Sequence, residues 1–150
     1  LLLGAGGAAR GVILPLLAES PSRLVIANRT PERAAELSSQ FSGAVVPIEA
    51  CSVDKLSASF DVVINATSAS LSSELPPVPE TVFDSHSFVY DMMYAAQPTP
   101  FLQLARRHGA TVRDGLGMLV EQAAEAFALW RGVRPDGGAV LRELRALVDA

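Results

Sequence analysis

Two groups of residues in this chain have the chemistry and spacing to hold an anionic ligand. The first is Gly4, Ala5, Gly6, Gly7 and Ala8, which follow the apolar run Leu1-Leu2-Leu3 and open a helix-like stretch. A strand, a glycine turn and a helix, in that order, can cradle a pyrophosphate. Gly4 permits the tight turn, Gly6 lets phosphate approach the backbone, and Ala9 is small enough for helix and strand to pack closely. The free N–H groups of the first helical turn then face the phosphates. The second group is Asn28-Arg29-Thr30 with Arg33, just after the second apolar run, Arg23 to Ala27. A bound dinucleotide would place its adenosine ribose there.

An NAD-preferring site carries Asp or Glu at that point, and here no acid occurs before Glu32. Arg29 offers a planar guanidinium suited to a 2′-phosphate, and Arg33 follows one helical turn later. Without a ligand these would be solvated arginines opening a helix, where cations are mildly unfavourable. The pattern therefore implies NADP as cofactor.

Other chemistry has little to stand on. The only lysine is Lys55, the only cysteine Cys51, and the two histidines are His86 and His108. No spacing among them suggests a metal site, and Cys51 reads as a small residue at a strand end. No general acid or base is assigned to this chain.

The elements that must position these groups follow from periodicity and punctuation. Strands are expected at 1–3, 23–27, 44–48, 60–65, 87–91 and 110–113. Pro47 marks the third as an edge strand, and the fourth reads as buried on both faces. Helices are expected at 7–19, with Pro15 as a kink, at 32–41, at 101–108 and at 139–148. A longer one begins at Leu116 and carries the apolar stripe Leu119, Val120, Ala123, Ala124, Phe127 and Trp130. Thr30-Pro31 and Thr99-Pro100 are N-cap and first-turn pairs. Gly109 stops the helix before it. A Ser- and Pro-rich loop spans 66–79. Alternating strands and helices imply a doubly wound parallel six-stranded sheet, Rossmann-like, in order 3-2-1-4-5-6 with C-terminal helices.

Composition sets the outer limits. At 150 residues, 49% of them hydrophobic, the chain suits one domain with a real core. Its net charge of -4 argues against nucleic acid as a partner. No apolar run is long enough to span a membrane, and no signal peptide is visible. One cysteine suits a reducing, cytoplasmic setting. The chain has no initiator Met and a first strand of only three residues, so a start inside or just before that strand is expected.

Taken in order, several motifs carry a resemblance. They are Gly4 to Arg10, Asn28-Arg29-Thr30, Asn65-Ala66-Thr67-Ser68, Asp91-Met92-Met93-Tyr94, Pro98-Thr99-Pro100-Phe101-Leu102 and Asp114 to Leu119. Together they resemble the C-terminal, NADP-binding domain of the shikimate dehydrogenase family along the whole chain. That family reduces 3-dehydroshikimate to shikimate with NADPH, reversibly, in aromatic amino-acid biosynthesis. Its N-terminal domain, which has no counterpart here, binds most of the substrate and supplies a Lys–Asp pair for proton transfer. The resemblance thus implies an oxidoreductase parent and an inactive chain. It assigns Gly4 to Ala8 to the pyrophosphate, and Asn28, Arg29, Thr30 and Arg33 to the adenosine ribose and its 2′-phosphate. Thr67 and Ser68 lie beside the cofactor, Met92 and the Gly115 carbonyl serve the nicotinamide, and Met118 is a further cofactor-binding residue. Tyr94 and Gln122 reach the substrate, and helices beyond about residue 116 pack toward the absent domain.

Each of these has a plainer reading. Met92 could fill a core gap, Tyr94 could be a surface aromatic, and Gln122 a solvated helix residue. Asp91 could be a buried, hydrogen-bonded strand terminus and Asp114 a cap, with His86 and His108 on the surface. Two departures from the family pattern are Ser70, where Gly is common, and Ala95-Ala96, where a Pro is usual. Three competing readings stay open: an NAD-using quinate/shikimate dehydrogenase, a glutamyl-tRNA reductase nucleotide domain, and a non-catalytic NADP-binding module.

Overall fold

The computed structural model describes residues 1–69 and 75–148; Ser70, noted above, lies outside them. Six parallel strands form one sheet in the order β3-β2-β1-β4-β5-β6. They are β1 (Leu2–Leu3), β2 (Leu24–Asn28), β3 (Ile48–Ser52), β4 (Val62–Asn65), β5 (Phe88–Asp91) and β6 (Thr111–Arg113). The helices are α1 (Gly7–Ala18), α2 (Pro31–Ser39), α3 (Pro100–Arg107), α4 (Leu116–Arg131) and α5 (Gly137–Val148).

Side-chain alternation along the short central strand explains why two cores form. Leu2 joins Ile26, Ala9, Ile13, Ala34 and Leu37 on the face that α1 and α2 cover. Leu1 and Leu3 join Ala27, Val63, Val89, Phe101 and Leu104 on the face that α3 covers. Ala9 is wholly buried, as close helix–strand packing after the glycine turn requires. Leu3 pairs with Ala27 on one side and Asn65 on the other. This fixes the carboxyl ends of β1, β2 and β4 at one level.

The sequence misplaces one strand. Residues 44–47 are not β; Ala44 N–H turns back to the Phe41 carbonyl, and Val45 is fully exposed. β3 instead pairs Ile48 to Ser52 with Leu24 to Asn28, and Pro47 contributes only a carbonyl, to Leu24 N–H. The β-branched pair Val45-Val46 favoured the earlier segment, but the β2 register selects the more polar one. β3 is indeed the edge strand. β4 begins two residues later than expected. Val63 and Asn65 are fully buried on one face, whereas Val62 on the other is 41% exposed and Ile64 only half-buried, so the expected burial on both faces does not hold.

Helix α1 runs through Pro15. Pro15 and Gly11 both lie on the exposed side, so the Gly11 carbonyl deprived of its partner faces solvent. Thr99 caps α3 by accepting from Leu102 N–H, whereas Thr30 holds the corresponding position of α2 without a side-chain bond. Gly109, at φ +81°, ends the turn after α3. The apolar stripe of α4 is only half covered: Leu116, Val120 and Ala124 are buried, while Leu119, Phe127 and Trp130 are exposed. α5 is held to α4 and its entry by ion pairs. Arg145 forks onto Asp114, and Arg134, just before α5, bridges Glu121 and Glu125.

Candidate functional site

A cleft of about 500 Å³ opens at the carboxyl ends of β1, β2 and β4. Three loops build it, each launched by a buried strand. The β1–α1 turn contributes Gly4 to Ala8, the segment after β2 contributes Asn28, Arg29, Thr30 and Arg33, and the segment after β4 contributes Thr67 and Ser68. The glycine turn and the arginine segment, picked out by residue type and spacing, thus line one space with Thr67 and Ser68, which the family resemblance implied. Leu3, Ala27, Val53, Ala66, Ala69, Pro76 and Pro77 complete the lining and carry no local signal of a site. Only the fold reveals them.

The glycines of the turn play different parts. Gly4 has φ +103°, and a Cβ there would stand 3.0 Å from the Ala66 carbonyl oxygen. Backbone geometry and packing therefore both require glycine at that point. A Cβ on Gly6 or Gly7 would meet nothing within 4 Å. Packing within the chain does not explain those two, whereas a ligand lying against the backbone does. Gly6 is the N-cap of α1 and has no side chain to cap with. The first N–H groups of α1 are thereby left to bind an anion.

Arg29 and Arg33 are exposed at the rim, and neither forms an ion pair among the described residues. Asn28 donates from Nδ2 to the Thr30 carbonyl at 2.9 Å, which ties the loop that presents Arg29. Unpaired guanidinium groups, a helix N-terminus and open glycine faces fit a phosphorylated dinucleotide.

The remaining predicted residues gather elsewhere, after β5 and at the start of α4. Gly115 N–H donates to the Met93 carbonyl at 2.9 Å, and Gly115 packs directly on the Met92 carbonyl. Met92 and Met118 are half-buried, Tyr94 is 43% exposed, and Gln122 is exposed. None of these five lines the first cleft.

Between the two groups lies a buried polar network that sequence reading only partly anticipated. Asp91 is indeed a buried, hydrogen-bonded strand terminus. It accepts from Asn65 Nδ2, Met93 N–H and Thr99 Oγ1. Asp114 accepts from Leu116 N–H, as a cap would, and is also paired with Arg145. The available signal was a polar residue closing each of two apolar strands.

Other titratable groups stay apart from the cleft. His86 is exposed, and His108, partly exposed at the surface, meets Glu80 at 2.8 Å. Burial pushes the Cys51 thiol up, which does not favour a nucleophile. Among the described residues no three His, Cys, Asp or Glu side chains group as metal ligands, and no helix is long and apolar enough to cross a membrane. A larger groove, about 890 Å³, lies at the amino ends of β2 and β3, but no charged residue lines it.

Sheet order, crossover helices and the glycine-lined cleft define a Rossmann-like α/β domain of the dinucleotide-binding class. Residues 1–73 match the family model "Shikimate / quinate 5-dehydrogenase" and residues 115–145 the model "Shikimate 5'-dehydrogenase C-terminal domain". The chain belongs to the shikimate dehydrogenase family. It is 62% identical to the shikimate dehydrogenase (NADP(+)) of Herminiimonas arsenicoxydans over 146 residues, which is 97% of this chain and 53% of the relative. Among solved structures it is similar to an Ael1 enzyme from Pseudomonas putida. The TM-score there is 0.86 at 51% identity, covering 95% of this chain and 53% of the other. It is also similar to the Thermus thermophilus shikimate 5-dehydrogenase in complex with NADP(H) and shikimate. That match has a TM-score of 0.79 at 32% identity, covering 98% and 54%. The chain spans about half the length of the curated relatives it matches.

Proposed function

We propose that this chain is the NADP-binding half of an NADP-dependent shikimate dehydrogenase. The observation that carries the reading is the convergence of the open glycine turn with Arg29 and Arg33 on one cleft. Gly4 to Ala8 and the N-terminus of α1 hold the pyrophosphate. Asn28 and Thr30 border the adenosine ribose, and Arg29 and Arg33 clamp its 2′-phosphate. Thr67 and Ser68 line the path toward the nicotinamide, which Met92, Met118 and the Gly115 carbonyl receive. Tyr94 and Gln122 face 3-dehydroshikimate or shikimate from this side.

When bound, NADPH supplies the hydride. The residues of this chain bind and orient; proton transfer belongs to a second half carrying the Lys–Asp pair. Lys55, in the 3₁₀ turn after β3, is no substitute. The uncovered face of α4, with Leu119, Phe127 and Trp130, is where that half packs. Nucleic acid and membrane are not partners in this reading, and the setting is the cytoplasm.

Calorimetric titration of the chain with NADP⁺ and with NAD⁺ tests the cofactor assignment. Tighter binding of NADP⁺ is the expected result. Equal binding of the two overturns the 2′-phosphate clamp and favours the NAD-using relative. A folded chain that binds neither overturns the assignment.

A further inference from the structure

The sequence motifs leave one buried feature without a task. Asn65 and Asp91 are register partners at the carboxyl ends of β4 and β5, and both are wholly buried. Burying a carboxylate is costly unless it is well satisfied, and an apolar pair of similar size would pack here at less expense. Asp91 Oδ1 accepts from Asn65 Nδ2 and from Met93 N–H, each at 3.1 Å; Oδ2 accepts from Thr99 Oγ1 at 2.6 Å. On the other side, Asn65 Oδ1 accepts from Thr67 N–H at 3.1 Å and Thr67 Oγ1 at 2.7 Å. The Met93 carbonyl in turn accepts from Gly115 N–H at 2.9 Å. One unbroken line of hydrogen bonds therefore runs from Thr67, through Asn65, Asp91 and Met93, to Gly115.

We propose that Asp91 is a positioning residue which, through Asn65, holds the phosphate half of the cofactor site in register with the nicotinamide half. The proposal rests on the reading of the cleft as an NADP site. Its mechanism is directional. A carboxylate only accepts hydrogen bonds, so Asn65 must turn its NH₂ toward Asp91 and its carbonyl oxygen toward Thr67. That orientation sets Thr67 at the cleft wall. The same carboxylate fixes the Met93 N–H, and so the backbone against which Gly115 rests. Asp91 touches neither end of the ligand; it sets the distance between the two loops that do.

The discriminating measurement is calorimetry with two probes, NADP⁺ and adenosine 2′,5′-bisphosphate, on the wild-type chain and on Asp91→Asn. The smaller probe needs only the adenosine end, whereas NADP⁺ needs both ends in register. Asp91→Asn is expected to weaken NADP⁺ about tenfold, the size of one lost charge-assisted hydrogen bond. Adenosine 2′,5′-bisphosphate should bind as to wild type. A merely structural role would weaken both probes alike or neither, and either of those results overturns the proposal. Should circular dichroism show Asp91→Asn unfolded, Thr99→Val takes its place: it keeps the volume and removes one donor to Asp91 together with the cap of α3, and a loss acting only through that cap would weaken both probes alike. The same split is expected, with Thr99→Ser restoring NADP⁺ affinity; loss of both probes in Thr99→Val, or no loss, overturns it. A wild-type chain that binds neither probe overturns the cofactor reading and this proposal with it. Wild-type binding of both probes with no selective loss overturns only the proposal.

Discussion

Gly115 rests on the carbonyl of Met92 so closely that no other residue fits. A Cβ there would stand 2.6 Å from the Met92 carbonyl carbon and nearer still to its oxygen. Its φ of -78° is ordinary, so the requirement is packing and not backbone freedom. Gly115→Ala must push the start of α4 away from the loop after β5. Overpacking of this kind costs about 1–3 kcal/mol. Urea denaturation should show that loss, and NADP⁺ affinity should fall with it.

The glycines of the first turn should separate cleanly by experiment. Gly4→Ala meets both a positive φ and the Ala66 carbonyl, and should lower stability by about 1–3 kcal/mol. Gly6→Ala has extended backbone angles and open space around its Cβ. It should change stability by no more than about 1 kcal/mol, yet weaken NADP⁺ about tenfold or more by placing a methyl against the pyrophosphate. Paired melting and calorimetric curves check both; a Gly6→Ala chain that binds NADP⁺ normally would refute the phosphate role.

Arg29 should account for most of the preference between cofactors. Arg29→Ala is expected to lose roughly 1.5–3 kcal/mol of NADP⁺ binding and to leave NAD⁺ nearly unchanged. Because Arg29 is exposed, the wild-type preference should shrink as salt rises. Titrations at low and high ionic strength measure this, and a salt-independent preference would count against the clamp.

Local chemistry was enough to determine much of this protein. The glycine turn after Leu3, the arginines after Ala27 and the helix caps at Thr99 and Gly109 are patterns within a few residues of one another. Strand–helix alternation then restricts the sheet to a parallel, doubly wound order. The tertiary structure decided what depends on partners distant in sequence. It moved β3 from the β-branched Val45-Val46 to the more polar Ile48–Ser52, because a strand's register is set by its neighbour, here Leu24 to Asn28. It brought Asn65 to Asp91 across 26 residues, and Gly115 onto Met92. It also left Leu119, Phe127 and Trp130 uncovered on α4, since a helix can carry a wide apolar stripe while its neighbours bury only part of it. Residue types and spacing state what each segment can hold, and only packing between distant segments brings them to one site.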